Sequence, residues 1–310
     1  MEKVTSKPHQ RESALVVSLH LVALAFLLCS TLATAQAQQR RTSVAILDLN
    51  PSTVGRLAAD KLASNLKNVE DLSLLDRDQV RAAARGAGYE GSLNLSLIEA
   101  RNLGAALGCD FFIIGDAQTL RRSPSTGGAY FESYASLLLV SARTGKLITW
   151  ERPNFRATEP ADAEQSLLKE LTGNDIRERL AVLIQRALAD ERVERDITID
   201  RETPVIEQAP DDDQLAEAEG LRLPRPYRRL VPAYPETASQ AEAEGIVDVL
   251  VDLDSKGDVT NVSIARWAGF GLDNSTINTV RRLHFFPAMR NGVAIPIRVL
   301  LRYNFRKPPR

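Results

Sequence analysis

Imidazole and thiol chemistry in this chain is limited to His9, His20, His284, Cys29 and Cys109. His9, His20 and Cys29 lie at the N-terminal end, so everything beyond carries one thiol and one imidazole. A structural zinc site draws on about four Cys or His ligands, and a Ser/His/Asp or Cys/His triad would have to be built on His284 alone. The zinc site lacks its ligands, and His284 has no neighbouring motif for a nucleophile. Cys109 has no partner in a processed chain, so stability must come from packing and not from a disulfide. Gly127-Gly128 and Gly269-Phe270-Gly271 lack the strand, Lys and helix context of a phosphate loop and read as turns. Asp211, Asp212 and Asp213 have the charge to hold a cation, but an acidic run among Pro and Glu reads as a solvated spacer. No catalytic, cofactor-binding or metal-binding residue is expected, and the chain reads as a non-enzyme.

Composition agrees. The chain has 310 residues and 34.1 kDa, with 39 Lys+Arg against 40 Asp+Glu, a formal charge of -1. That length suggests roughly two domains. The balanced charge provides no strong field to gather nucleic acid, and the pairs Arg121-Arg122, Arg228-Arg229 and Arg281-Arg282 are too dispersed to make such a surface. A hydrophobic share of 44% and a charged share of 25% are ordinary globular values.

The N-terminal end carries an address. Lys3, Lys7 and Arg11 precede an apolar run from Ala14 to Leu28, and Ala33, Ala35 and Ala37 follow at small-x-small spacing. This reads as an export signal, with the cut expected near Ala35 or Ala37 and residues 1–37 left behind. Leu28 is too large to precede a lipidated Cys29. Extended from Ser13 to Ala33, the run approaches the ~20 residues of a membrane span, so an uncut anchor is the alternative. In that case His20 would be a functional candidate facing other protein. Under both readings the rest of the chain lies across the membrane from Lys3.

Aromatic residues mark two regions, Tyr89 to Phe155 and Tyr227 to Phe305, with none between. The expected organisation is 42–195, an acidic linker at 196–222, and 223–310. In the first region Val44 to Leu49 and Leu72 to Leu75 read as strands. Ser52, Asp76 and Ser96 are candidate caps for helices carrying Val54 to Leu66, Gln79 to Arg85 and Leu97 to Leu107, with Gly108 closing the last. Phe111 to Gly115 is a further strand, and Tyr130 to Val140 with Lys146 to Glu151 a hairpin. Helices at Ala161 to Leu171 and Ile176 to Leu188 complete an α/β layer.

Three stretches of this region, Val44 to Leu49, Leu74 to Arg77 and Leu107 to Gly115, resemble the CsgG-like and FlgO-like envelope domains over about Thr42 to Ala189. That resemblance implies a periplasmic or outer-membrane assembly protein. Pore formation does not carry over, because no long amphipathic hairpin pair is present.

The carboxyl-terminal region has the cleanest alternation. Ile295, Ile297, Val299, Leu301, Tyr303 and Phe305 fall on one side, with Arg298, Arg302, Asn304 and Arg306 on the other. Val247, Val249, Val251 and Leu253 repeat the pattern up to an Asp254 to Gly257 turn and a partner strand of about Asp258 to Ala265. Asp273 or Asn274 caps a helix through Leu283, and Asn291-Gly292 makes a tight turn before the last strand.

Tyr234-Pro235, Ala238, Gly245, Asp254 to Gly257, Gly269 with Leu272-Asp273, Phe286-Pro287-Ala288 and Asn291-Gly292 resemble the carboxyl-terminal domain of the TonB energy-transducer family, over about Pro232 to Phe305. Arg266-Trp267 depart from it, where the family often has small hydroxyl residues. The fold class implied is α+β and α/β: a CsgG-like α/β layer domain, then a small TonB-like domain of two helices and a three-stranded antiparallel sheet. The resemblance implies recognition by strand addition, in which an outer-membrane receptor's extended segment pairs with an exposed sheet edge.

The candidate edge is Ile297, Arg298, Val299, Leu300, Leu301, Arg302, Tyr303, Asn304 and Phe305. Arg298, Arg302 and Asn304 are on its open face; each Arg also reads as a solubilising guard. The function expected is a periplasmic, TonB-like protein of a Gram-negative envelope that binds such a receptor. If the N-terminus is retained, it reaches an ExbB/ExbD-type motor complex and transmits energy for transport. The linker, a Pro-poor coil spanning on the order of 30 Å, argues against such reach. The alternative is an exported structural or assembly adaptor of the envelope without energy coupling. Oligomeric state is left open, a homo-oligomer included.

Overall fold

A strand buried at every position needs cover on both faces, and Thr42–Ile46 (β1) is such a strand. The computed structural model describes residues 41–200, 206–210 and 213–307, and β1 is the first element among them. The expected signal or anchor segment, with His9, His20 and Cys29, and the acids Asp211 and Asp212 lie outside the described residues. After β1 come α1 (Thr53–Leu66), β2 (Leu72–Leu74), α2 (Arg77–Gly86), β3 (Leu95–Ser96), α3 (Leu97–Leu107) and β4 (Phe111–Arg122). β2 and β4 flank β1 in parallel register. β4 then runs antiparallel to β5 (Tyr130–Ser141), and β6 (Leu147–Glu151) and β7 (Asn154–Ala157) both pair with β5.

Local signals set the helix ends. Ser52 accepts from the Gly55 N–H at 3.0 Å and Asp76 from those of Asp78 and Gln79 at 2.9 and 3.1 Å. Ser96 and Glu99 cap α3 reciprocally, and Gly108 ends it at φ 68°. α4 (Pro160–Leu171) and α5 (Asn174–Asp200) join α1 on one sheet face, burying Leu62, Leu167, Leu171, Leu180 and Ile184 against Phe111, Ile113, Leu137 and Leu139. The helix expected to stop at Leu188 continues to Asp200, into the segment expected as linker. No Gly or Pro interrupts it there, and Glu191 is tied to Ser141 and Arg143 of the first sheet's β5 and its turn.

The chain continues through α6 (Asp213–Ala218), β8 (Leu221–Arg222), β9 (Arg225–Pro226), α7 (Glu236–Ala241), β10 (Gly245–Leu253), β11 (Val259–Trp267) and α8 (Leu272–Val280). It finishes with β12 (Phe285–Phe286), β13 (Ala288–Arg290), β14 (Val293–Ile295) and β15 (Ile297–Phe305). The larger carboxyl-terminal sheet is ordered β15-β10-β11-β3. The three-stranded sheet of the sequence reading therefore gains a fourth strand, β3, from the first region. β10 buries Val247, Val249, Val251 and Leu253, and β15 adds Ile297, Val299 and Phe305 to the same cluster.

Turn chemistry works largely as read. Asp254 accepts from the Lys256 and Asp258 N–H groups at 2.8 and 2.9 Å. Asn291 and Gly292 take φ 50° and 84°, the two left-handed positions of a tight hairpin. Their hairpin, however, joins β13 to β14; the last strand starts only after Pro296, so Ile295 belongs to β14. α8 starts at Leu272 behind Gly271 with no side-chain cap bond, so neither Asp273 nor Asn274 caps it, and it ends at Val280, before the expected Leu283.

A single hydrophobic cluster runs from Leu138 and Val140 on the second face of the first sheet, through Leu103 and Leu107, to Trp267, Phe270, Val249 and Val299. Thr42–Arg310 accordingly fold as one compact unit. Among the described residues no helix is long and apolar enough to cross a membrane.

Candidate partner-binding edge

The four-stranded sheet has two edges, and the chain treats them differently. At the β11 side, Arg266 and Trp267 pair with Ser96 and Leu95 of β3. Asn94 wedges the joint: its Nδ2 donates to the Ile246 and Trp267 carbonyls at 2.8 and 2.6 Å, and its Oδ1 accepts from the Ile246 N–H at 3.0 Å. The Arg266 guanidinium reaches the Asn94 carbonyl at 3.0 Å and the Glu99 carboxylate at 2.9 Å. The Trp267 ring is 1% exposed, and its Nε1 donates to the Gly145 carbonyl at 2.9 Å. Phe270 adds a ring contact to Trp150, centroids 5.3 Å apart. The Arg266–Trp267 end of this edge is covered from within, whereas Val259 to Ala265 have no strand on their outer side among the described residues.

β15 forms the other edge. It pairs with β10 from Ile297 opposite Leu253 to Phe305 opposite Gly245, without a register break. On its outer side the Arg298 N–H donates to the Glu207 carbonyl at 2.7 Å, and the Arg298 carbonyl accepts from the Ala209 N–H at 2.8 Å. A short parallel bridge between Gln208 and Arg298 results. In an antiparallel pair the main-chain groups alternate in direction. Those of Val299, Leu301 and Tyr303 therefore turn to β10, and those of Leu300, Arg302 and Asn304 turn outward. Beyond Ala209 no other strand pairs with this edge among the described residues.

Two of the side chains offered to a partner by sequence are engaged inside the sheet. Arg298 donates to both oxygens of Asp252 at 2.5 and 2.8 Å, and Arg302 to both of Asp248 at 2.8 and 2.9 Å. Asp248 and Asp252 are only 5% and 4% exposed, so each needs a cation to be held there. The hydrogen bonds of Arg298 hold the Asp252 carboxyl below the usual range, against the opposing effect of its burial. Arg302, although ion-paired, stays exposed, as do Leu300 and Asn304. Beneath the outer part of the strand lies a groove of about 270 Å³ whose lining includes Arg228, Arg229, Leu230, Leu283, Leu301 and Tyr303. A backbone added along β15 could place a side chain in it.

Residues 231–306 match the family model described as Gram-negative bacterial TonB protein C-terminal. They form a TonB C-terminal domain. Solved structures that resemble parts of the chain include the solution NMR structure of Pseudomonas aeruginosa TonB CTD, at 22% identity over 28% of this chain and 89% of that one with a TM-score of 0.25. Others are the LpoB C-terminal domain from Salmonella enterica (15% identity, 41% and 90% coverage, TM-score 0.28) and the hypothetical protein CT253 from Chlamydia trachomatis (13% identity, 42% and 93% coverage, TM-score 0.30). No curated protein matches the sequence.

Arg266 and Trp267, the sequence departures from the TonB pattern, are the residues that dock the TonB C-terminal domain on the α/β layer. Sequence reasoning noted them without assigning that role. It also missed Asp248 and Asp252 as ion-pair partners, although their spacing of four matches that of Arg298 and Arg302. Antiparallel pairing makes that coincidence readable. The Glu207 to Ala209 contact had no signal in the sequence.

Reactive groups stay apart. His284 is exposed, its Nδ1 3.1 Å from an Asp258 oxygen, and among the described residues no hydroxyl or thiol joins the pair. Burial pushes the Cys109 thiol up to about 12, far from a nucleophile's range. No group of three or more His, Cys, Asp or Glu able to hold a metal occurs among the described residues. A cleft of about 720 Å³ lies where the TonB domain meets β6, lined by Lys146, Trp150, Glu194, Ile264, Trp267 and Asp273. Asp273 accepts from the Ala268 and Gly269 N–H groups, each at 2.8 Å, and burial raises its carboxyl to about 6.

Proposed function

We propose that this protein is a non-enzymatic, periplasm-facing component of a Gram-negative envelope whose TonB C-terminal domain receives an extended segment of an outer-membrane receptor along β15. The observation that carries the reading is the hydrogen-bonded pair between Arg298 and the stretch Glu207 to Ala209: the outer side of this strand already accepts a foreign-like backbone. Main-chain bonds would supply affinity and the groove at Leu301 and Tyr303 selectivity. The preceding region acts as a CsgG-like envelope platform. If the N-terminal segment is kept as an anchor, an ExbB/ExbD-type motor complex is the source of any force.

One observation favours the adaptor reading, in which two envelope components are held together without energy coupling. The TonB domain shares a core with the α/β layer and is sealed to it by Trp267 and Asn94. Such a domain does not travel alone on a tether. Capture of detergent-solubilised outer-membrane proteins by the full chain tests the proposal. Receptors should be retained by the native protein and lost with Leu300→Pro. Retention of inner-envelope proteins alone would favour the adaptor, and an intact mass that includes Met1 to Leu28 would favour the motor.

A further inference from the structure

We infer that Glu207 to Ala209 is a guard strand, holding the first part of the β15 edge in the resting molecule and leaving it when a partner's strand enters. The inference rests on strand addition at β15 and concerns its regulation. Three contacts place the guard: the two main-chain bonds to Arg298 at 2.7 and 2.8 Å, and an ion pair between Glu207 and Arg290 at 2.5 Å. Ala209 also packs against the main core cluster, whereas Glu207 and Gln208 are exposed.

The chemistry of these contacts suits displacement. Both main-chain bonds lie at the sheet's rim, where water can replace them, and the ion pair is solvent-screened, a kind that contributes little. The guard meets the strand only at Arg298, so it stops short of the outward groups at Leu300 and Asn304. A partner strand entering at Leu300 and extending toward Ile297 would gain bonds that the guard does not make, and would take those at Arg298 from it. An edge left bare is an aggregation template. A short, weakly held segment of the same chain protects the edge without sealing it.

The test uses the full chain with Ala209→Pro, which deletes the N–H that bonds Arg298. Hydrogen exchange at the Arg298 amide should accelerate at least tenfold, while the Val299 and Leu301 amides, bonded to β10, stay slow and report an intact sheet. Sedimentation should show the variant's self-association strengthened at least tenfold, since its freed edge can pair with a second copy. Should the proline disturb the sheet, Glu207→Lys, which sets like charges against Arg290, must move both readouts in the same direction. Unchanged exchange and self-association in the variants would overturn the inference, whatever the receptor result. If both respond but solubilised outer-membrane receptors bind neither form, the guard stands and the receptor reading falls.

Discussion

Trp267 Nε1 donates to the Gly145 carbonyl at 2.9 Å across the junction between the TonB C-terminal domain and the α/β layer. The ring lies on the strand that β3 closes, so one side chain both fills the shared core and fixes where the sheet ends.

Cooperative unfolding follows from that junction. Urea denaturation of the folded part should give one transition by fluorescence and by circular dichroism. Trp267→Phe keeps most of the apolar volume but strands the Gly145 carbonyl, a loss of about 1–3 kcal/mol. Trp267→Ala should cost about 3–5 kcal/mol and separate the transition into two. Two transitions in the native protein would contradict the shared core.

Asp273 sets one pH dependence. Burial raises its folded carboxyl from 3.8 to about 6, so between those values the folded state holds a proton that the unfolded state has released. Its contribution therefore makes stability fall as pH rises from about 4 to 6, by up to about 3 kcal/mol at ~1.4 kcal/mol per unit. Asp273→Asn should remove this component. The check is the native-minus-variant difference in unfolding free energy at pH 4.5 and 7.

Asp252 works with the opposite sign. Its hydrogen bonds from Arg298 depress the folded carboxyl, so the stability it lends is present above the ordinary carboxylate range and is lost as pH falls through the depressed value. Arg298→Ala leaves a buried carboxylate without its cation. The expected loss is about 1–3 kcal/mol at pH 7, discounted for the partial exposure of the Arg. Asp252→Asn in the same chain should recover part of it. No recovery would mean that the pair is not coupled.

Much of this fold can be read along the chain, because its signals are local. Ser52, Asp76, Ser96 and Gly108 mark helix ends by their own hydrogen bonds or φ, and the alternation from Ile297 to Phe305 becomes a strand with one side buried. The remainder depends on which strands meet. β3 has two residues, too few for any periodicity, yet it covers the Arg266–Trp267 end of the β11 edge. The Arg298 and Arg302 side chains look free in a single strand, and only the β10 register brings Asp252 and Asp248 beneath them. Helix α5 overran the expected boundary because acidic composition resembled a linker while its neighbours, Arg143 and Lys146, supplied the counter-charges to Glu191 and Glu194.

Proline placement separates the edge from the fold. The Val299 N–H faces β10, so Val299→Pro would break the central ladder, whereas Leu300→Pro removes only an outward donor, which an edge strand tolerates. The decisive measurement is the affinity of the full chain for an outer-membrane receptor with and without Leu300→Pro, with circular dichroism confirming an unchanged fold. The account predicts at least a tenfold loss of binding; equal affinity for the two proteins would contradict it.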